Sequence, residues 1–243
     1  HRTSYVQSVN NGERISIGCS QLFDAEGNGM RLYLRPLKNP QYIQKNPFMR
    51  NEDACRLMLS LKKLYDDSVP TYDLRRVVIH KTTFFTKEEM EGISRGLSGI
   101  DDIELLQIQE FTPWRAIRFD SDNMKIVSKF AIQRGTVIQL NKDNFLIWTH
   151  GSVQHDELAG QHLNYYKNGR GIPAPLLVRR FMGKADGATL ANEIMMLTKM
   201  NWNSGDSFYK VLPVTLDFAK MLSRVAKQDV VIYDKPYDFR YFM

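Results

Sequence analysis

The sequence predicts an α/β fold built on a mixed β-sheet, and three patterns along its 243 residues carry that prediction. A strand–turn–strand pattern lies at 15–34. A strand–helix–strand pattern follows at 76–108, which implies a parallel pair of strands with a right-handed crossover. Two amphipathic helices, at about 187–200 and 213–227, close the chain. No repeat or low-complexity tract separates these parts, so we expect a single domain over 1–243.

The first pattern is a β-hairpin. Residues 15–23 alternate well enough for a strand, 24–29 have the composition of a turn, and 30–34 read as the returning strand. Residues 36–52 contain three prolines and no clear period, which predicts a loop. Apolar residues at helical spacing then begin at Ala54, with Asp53 in position to cap the helix and Val69–Pro70 to end it.

The second pattern begins with a short apolar run. Arg76 to His80 is rich in β-branched residues, as in a strand buried on both faces. Thr86 followed by Glu89 forms a capping box that starts a helix ending near Gly99. Residues 103–108 form the next strand.

The region between this unit and the closing helices predicts short strands. We expect them at 116–119, 129–132, 136–139 and 144–148, a loop over 151–175 and a further strand at 176–181. The apolar positions Leu190, Ile194 and Leu197 mark a buried face of the first closing helix, and Val214 begins a similar face on the second.

Composition narrows the functional classes. A net charge of +6 and a pI of about 9.2 favour a polyanionic partner without establishing one. Cys19 and Cys55 offer neither a disulfide framework nor metal-ligand spacing, and the five histidines show no ligand pattern. No signal peptide or apolar run of membrane-spanning length is present, so we expect a cytoplasmic protein. The chain starts at His1 without an initiator Met, and we expect a fragment or a processed form.

A polar loop between the two closing helices is the main candidate site. Its side-chain donors include Lys199, Asn201 and Asn203, and Pro213 is well suited to the start of the next helix. The end of one helix, a polar loop and the start of another present free donors to an anion. A plain polar connection between helices explains the same residues, and both interpretations stay open here.

The strings LTKMNWN and LPVTLDFA, at 197–203 and 212–219, resemble the C-terminal part of the PIWI domain of prokaryotic Argonaute proteins. Further segments are similar to the same family in the same order. They are SQLFD at 20–24, VIHKTTFF at 78–85, RGT at 134–136, WTHG at 148–151 and GIPAPL at 171–176. The resemblance therefore spans nearly the whole chain.

The resemblance implies an RNase H-like fold, a mixed sheet flanked by helices. Nuclease members of the family use four ligands to hold two Mg²⁺ ions. Here Lys81 and Lys220 stand at two of those positions, and an ammonium group repels a divalent cation. The strand that supplies the first ligand is expected upstream of His1. We therefore expect no slicing activity. The alternative is a guide-directed two-metal endonuclease whose ligands lie elsewhere.

The resemblance also implies partners, because inactive PIWI domains are typical of short prokaryotic Argonautes. Those proteins carry a MID domain before PIWI and associate with an APAZ-containing protein bearing a TIR, sirtuin-like or nuclease effector. We accordingly expect guide RNA and complementary single-stranded DNA as ligands. A scaffold that binds only a protein partner remains a further alternative. The guide-binding residues implied are Lys199, Asn201, Asn203, Thr149 and Arg170.

The chain ends on an aromatic and apolar tail, which predicts a docked C-terminus. In the family, the terminal carboxylate helps hold a divalent ion against the first guide phosphates. The resemblance therefore implies a structural Mg²⁺ bound through the main-chain carboxylate of Met243.

Overall fold

The computed structural model describes residues 2–10, 13–23, 29–37, 40–44, 46–68, 73–119, 125, 130–152, 165–166, 171–199, 211–225 and 235–238. The chain divides into two compact units. The first comprises His1–Gln107, Arg180–Lys184 and Val214–Met243, and the second Ile108–Arg179 and Ala185–Pro213. The single domain expected over 1–243 stays a prediction.

Three antiparallel strands open the first unit. β1 (Arg2–Asn10) pairs with β2 (Glu13–Phe23) along its whole length, and β2 pairs with β3 (Gly29–Leu37). The hairpin predicted at 15–34 is thus confirmed, with longer strands. β1 lies between β2 and β6 (Arg76–Lys81) in the sheet, and the expectation of a first strand upstream of His1 stays a prediction. The sequence of β1, RTSYVQSVN, has few apolar residues and no clean alternation, so periodicity did not reveal it.

A parallel crossover follows in the same unit, as predicted. β6 (Arg76–Lys81) pairs in parallel with β1 on one side and with β7 (Asp102–Gln109) on the other, and α2 (Lys87–Gly96) connects β6 to β7. The strand order in this unit is β11-β3-β2-β1-β6-β7, where β11 (Lys235–Asp238) pairs antiparallel with β3. The sheet is therefore mixed, antiparallel on one side and parallel on the other.

The segment predicted as a loop at 36–52 contains a short hairpin instead. β4 (Gln41–Ile43) and β5 (Asn46–Phe48) pair antiparallel, and Gln44 at their turn has a φ of 49°. The helix α1 (Asn51–Ser68) starts earlier than its apolar pattern indicated. Asp53 is consequently not its cap but an acidic residue in the first turn, where it complements the helix dipole.

The helices of the first unit lie on both faces of the sheet. Val77 and Ile79 of β6 belong to an apolar core shared with Leu57 and Leu61 of α1 and Ile93 of α2. Successive strand residues point to opposite faces, so His80 faces the other way. Its Nδ1 lies 2.9 Å from the Thr215 hydroxyl in α4 (Val214–Val225). The predicted α/β architecture, a mixed sheet flanked by helices, is confirmed.

The second unit contains an antiparallel set of strands and one helix. β8 (Val137–Asn141), β9 (Asn144–Ile147) and β10 (Leu176–Met182) are hydrogen-bonded in the order β10-β9-β8, and α3 spans Gly187–Lys199. Asp186 caps α3 by accepting bonds from both the amide and the hydroxyl of Thr189. Trp148 packs with Ile132 and Leu146 in the core of this unit.

Two strands expected in this region are absent from the described residues. Residues 116–119 carry only an isolated bridge at Phe119, and 130–132 form no strand. Their composition favoured strands, but β-propensity alone does not establish pairing with a neighbouring strand. The pairing of β11 with β3 agrees with the predicted docked C-terminus over residues 235–238. Phe239 to Met243 lie outside the described residues. None of the described helices combines the length and the apolarity that crossing a membrane requires.

Candidate nucleic-acid interface

The end of strand β6 carries a buried ion pair. Lys81 is the last residue of the strand and is only 2% exposed. Its ammonium nitrogen Nζ lies 2.8 Å from Oε1 and 2.6 Å from Oε2 of Glu89 in α2, which is itself fully buried. The pair is bidentate and charge-assisted, so removing one partner leaves the other charge buried and uncompensated.

The Glu89 carboxylate also joins three segments of the chain. Its Oε1 accepts a bond from the Met49 amide and its Oε2 one from the Thr86 amide, each 3.1 Å long. The Thr86 hydroxyl accepts the Glu89 amide in return, which completes the predicted capping box. The ion pair thus fastens the end of β6 to the start of α2 and to the residues that lead into α1.

Two aromatic rings complete the environment of the ammonium group. Nζ of Lys81 lies 4.6 Å from the ring centroid of Phe48 and 5.2 Å from that of Phe85. Burial lowers the pKa of Lys81 from 10.5 to about 8, against the opposing effect of the Glu89 charge and hydrogen bond. The short contacts of Nζ with both Glu89 oxygens are those of an ammonium–carboxylate pair.

Three positions bear on the metal site that the resemblance describes. At the first, Lys81 engages the nearest carboxylate. At the second, Lys220 is a half-buried residue of α4. The third is the first ligand, which the resemblance places on the first strand; β1, the strand beside β6, contains no Asp or Glu. Within the described ranges, no three His, Cys, Asp or Glu side chains are grouped as metal ligands. A two-metal centre requires several carboxylates around both ions, and these residues do not fit that requirement.

A second cluster lies in the second unit, around Arg134. Its Nε donates to the Thr149 carbonyl at 2.9 Å, and its Nη2 donates to the Thr198 hydroxyl at 2.7 Å. The Thr149 hydroxyl donates in turn to the Val211 carbonyl at 2.5 Å. Thr198 and Val211 stand on either side of the predicted polar loop, of which residues 200–210 lie outside the described residues. Arg134 and Thr149 therefore bond to the described chain on both sides of that segment.

The backbone hydrogen bonds around this cluster explain why the WTHG segment contains a glycine at position 151. The Arg134 amide donates to the Ser152 carbonyl, and the Ser152 amide donates to the Ile132 carbonyl. Gly151 has a φ of +147°, and a Cβ there would lie 2.2 Å from the Ile132 carbonyl oxygen. Only glycine permits this close approach. Burial, and then the neighbouring Arg134 charge, lower the pKa of His150.

The structure describes only two of the predicted guide-binding residues, Thr149 and the backbone of Lys199. Thr149 is fully buried and its hydroxyl donates to the Val211 carbonyl, so it positions the neighbouring chain, and its contact with the guide stays a prediction. Lys199 is the last residue of α3, directly after Thr198, and its side chain is not described. Asn201, Asn203, Arg170 and Met243 lie outside the described residues, so their roles stay predictions.

Sequence reasoning missed the partners that organise both clusters. Glu89 was recognised only as a helix cap, although a carboxylate at the third helical position turns back towards the strand that precedes it. Arg134 and Thr198 stand 64 residues apart, and no local pattern links them.

No family model matches the sequence, and no curated protein is similar enough to match. Solved structures do match. The Aquifex aeolicus Argonaute is 18% identical with a TM-score of 0.65, over 100% of this chain and 30% of that one. The Clostridium butyricum Argonaute bound to guide and 19-mer target DNA is 16% identical with a TM-score of 0.65, over 100% and 28%. The Marinitoga piezophila Argonaute in complex with 5′ OH guide RNA is 15% identical with a TM-score of 0.57, over 91% and 29%.

The chain thus spans less than a third of the length of these proteins. At such low identity the likeness bears on architecture, and the shared architecture is the RNase H-like PIWI fold. The chain has an Argonaute-like fold, as its sequence predicted.

Proposed function

We propose that this chain is a non-catalytic module that binds a guide and its target in a short prokaryotic Argonaute. In this proposal it acts in the cytoplasm, where it senses pairing between guide RNA and single-stranded target DNA. It reports pairing to an associated APAZ-containing effector in defence against invading nucleic acid. Support comes from the fold, since Argonautes of the same fold have been solved with a guide or with guide and target. The net charge of +6 is compatible with such ligands.

The observation that carries the non-catalytic part of the proposal is the pair between Lys81 and Glu89. A metal ligand at Lys81 would need a free carboxylate, whereas this position holds a cation that already neutralises the nearest one. The absence of Asp and Glu from β1 argues in the same direction. Two-metal cleavage needs carboxylates around ions roughly 4 Å apart, and lysines cannot replace them.

The guide-binding part of the proposal concerns the polar loop of 199–210. Lys199, Asn201 and Asn203 are proposed to contact the guide backbone, because backbone contacts suit a protein that leaves sequence reading to base pairing. Arg134 and Thr149 support this role by bonding to the described chain on both sides of the loop. A structural Mg²⁺ held by the Met243 carboxylate would neutralise the guide's 5′ phosphate.

A cleavage assay tests the proposal. The purified protein, loaded with a 5′-phosphorylated guide RNA, is mixed with end-labelled complementary DNA in Mg²⁺ or Mn²⁺. We expect retention of the labelled target in a filter-binding assay and no cleavage product. A scrambled target should be neither retained nor cut. Guide-directed cleavage at one defined phosphodiester bond would establish the alternative, a two-metal endonuclease, and refute the non-catalytic role. Failure to retain the paired target would refute guide and target binding altogether.

A C-terminal extension tests the proposed ion site. A few residues added after Met243 move the terminal carboxylate away from the guide while leaving the chain otherwise unchanged. Affinity should fall most for 5′-phosphorylated guides and little for 5′-hydroxyl guides. An equal effect on both guides would make the tail an anchor only.

A further inference from the structure

A short surface segment of the second unit exposes three aromatic rings. In residues 111–119, called the aromatic segment below, Phe111 is 91% exposed, Phe119 57% and Trp114 51%. Ile117 adds a further exposed apolar side chain. Large aromatic side chains contribute most to stability when buried, so several exposed together mark an interaction surface.

The backbone conformation of this segment keeps these rings in solvent. Thr112 is buried and donates its hydroxyl to the Pro175 carbonyl at 3.0 Å, which anchors the segment to the protein. Directly before it, Phe111 has a φ of 58°, in the left-handed region that residues other than glycine rarely adopt. A strained backbone that leaves a phenylalanine almost fully exposed indicates a use for the ring outside the core.

The same segment carries positive charge beside the rings. It contains Arg115 and Arg118 and no acidic residue. Arg115 is exposed, and its Nη1 donates to the carbonyls of Thr112 and Trp114, both at 2.7 Å. These two bonds hold the guanidinium group against the backbone of Thr112 and Trp114, so the segment carries a fixed cation within the same few residues as the exposed Trp114.

We propose that the aromatic segment binds unpaired nucleobases of a single strand, with its rings stacking on bases and its arginines facing phosphates. Alternating rings and cations suit this ligand, because single-strand-binding surfaces combine aromatic platforms with a positive groove. Aromatic and arginine side chains are also enriched at protein interfaces, so a protein is the competing occupant, and the net charge of +6 is what favours the polyanionic strand. This inference deepens the proposed function and rests on it, since it assigns a place to the unpaired part of the guide or target.

Fluorescence anisotropy with two probes tests the inference. One probe is labelled oligothymidylate of about 20 nucleotides, and the other is an abasic strand with the same number of phosphates. Trp114→Ala should bind the thymidylate about tenfold more weakly, equivalent to about 1.4 kcal/mol, with little change for the abasic strand. Trp114→Phe should retain most of the affinity, because it keeps a ring. Arg115→Gln should lower the salt slope for both probes by about 0.7.

Leu59→Ala is the matched control, because Leu59 on α1 is also 51% exposed but lies in the first unit. It should leave both affinities unchanged. Equal weakening of both probes by Trp114→Ala, or equal affinity of Trp114→Ala and the unaltered protein for thymidylate, would overturn the inference. A Trp114→Ala protein that loses a co-purifying protein partner but not oligonucleotide would assign the segment to protein docking and also overturn it.

The two proposals fail separately in these experiments. If the paired guide and target are retained while Trp114→Ala changes nothing, only the role of the aromatic segment is wrong. If base-dependent binding to thymidylate is seen but a paired target is never retained, the proposed guide and target function is wrong and the segment is a single-strand site of another kind.

Discussion

Breaking the ion pair between Lys81 and Glu89 should destabilise the protein strongly. Lys81→Met removes the ammonium group that neutralises the fully buried Glu89 carboxylate, which also accepts bonds from the amides of Met49 and Thr86. Loss of one partner of a buried pair costs about 3–5 kcal/mol. At a denaturant slope of about 2 kcal/mol per molar urea, the unfolding midpoint should fall by about 1.5–2.5 M.

A double-mutant cycle separates the pair from the packing of its members. Glu89→Gln keeps an acceptor for the Thr86 amide, since glutamine also serves in a capping box, but it leaves the ammonium without its counter-charge. Combining it with Lys81→Met removes both charges, so the loss should be smaller than the sum of the two single losses. We expect a coupling energy of about 2–3 kcal/mol from urea unfolding followed by circular dichroism.

An exposed pair on the same helix provides the control. Nζ of Lys87 lies 3.9 Å from Oε1 of Glu91, with side chains that are 89% and 53% exposed. Lys87→Met should change the free energy of unfolding by no more than about 0.5 kcal/mol. The reasoning is refuted if Lys81→Met is as mild as Lys87→Met, or if the changes at Lys81 and Glu89 are additive.

Two further outcomes are expected. Gly183→Ala should lower the free energy of unfolding by about 2–4 kcal/mol, because a Cβ there would lie within 2.3 Å of the buried Glu104 carboxylate and φ is +122°. Gly99→Ala is the control, since φ is +87° but nothing lies within 4 Å, and it should lower the free energy of unfolding by only about 1 kcal/mol. Lys199→Ala should weaken all guides alike and reduce the salt slope by about 0.7–0.9, and an unchanged slope would leave the residue a structural role only.

The elements that sequence reasoning located obey local rules. The capping box of Thr86 and Glu89 fixed the start of α2, and the β-branched run at 76–80 marked β6, because neither depends on distant contacts. The elements it missed depend on their neighbours. β1 is a strand because β2 pairs along its whole length. The β4–β5 hairpin also depends on strand pairing, because strands of three residues are too short to show an alternating pattern in the sequence.

The candidate sites follow the same division. Sequence comparison identified Lys81 as a departure from a metal-binding pattern, but only the fold brings it to Glu89 across the turn that follows β6. Arg134 lies in the RGT segment that resembles the family, but its contact with Thr198 requires the packing of the second unit. Local sequence therefore gives the residue types of a site, whereas the charge state and the partners of those residues depend on tertiary contacts.

Under the proposed function, Lys81 both replaces a metal ligand and forms a buried ion pair that stabilises the first unit. Lys81→Asp would place a second carboxylate beside the buried Glu89 and remove the cation that neutralises it, so the change should destabilise the end of β6. It would also leave β1 without a carboxylate and Lys220 unchanged. Restoring a two-metal centre would therefore require changes on β1, β6 and α4 together, and the change at Lys81 alone would carry a stability cost without supplying the other ligands. Such a chain has a physical reason to stay a binding module once Lys81 and Glu89 are paired.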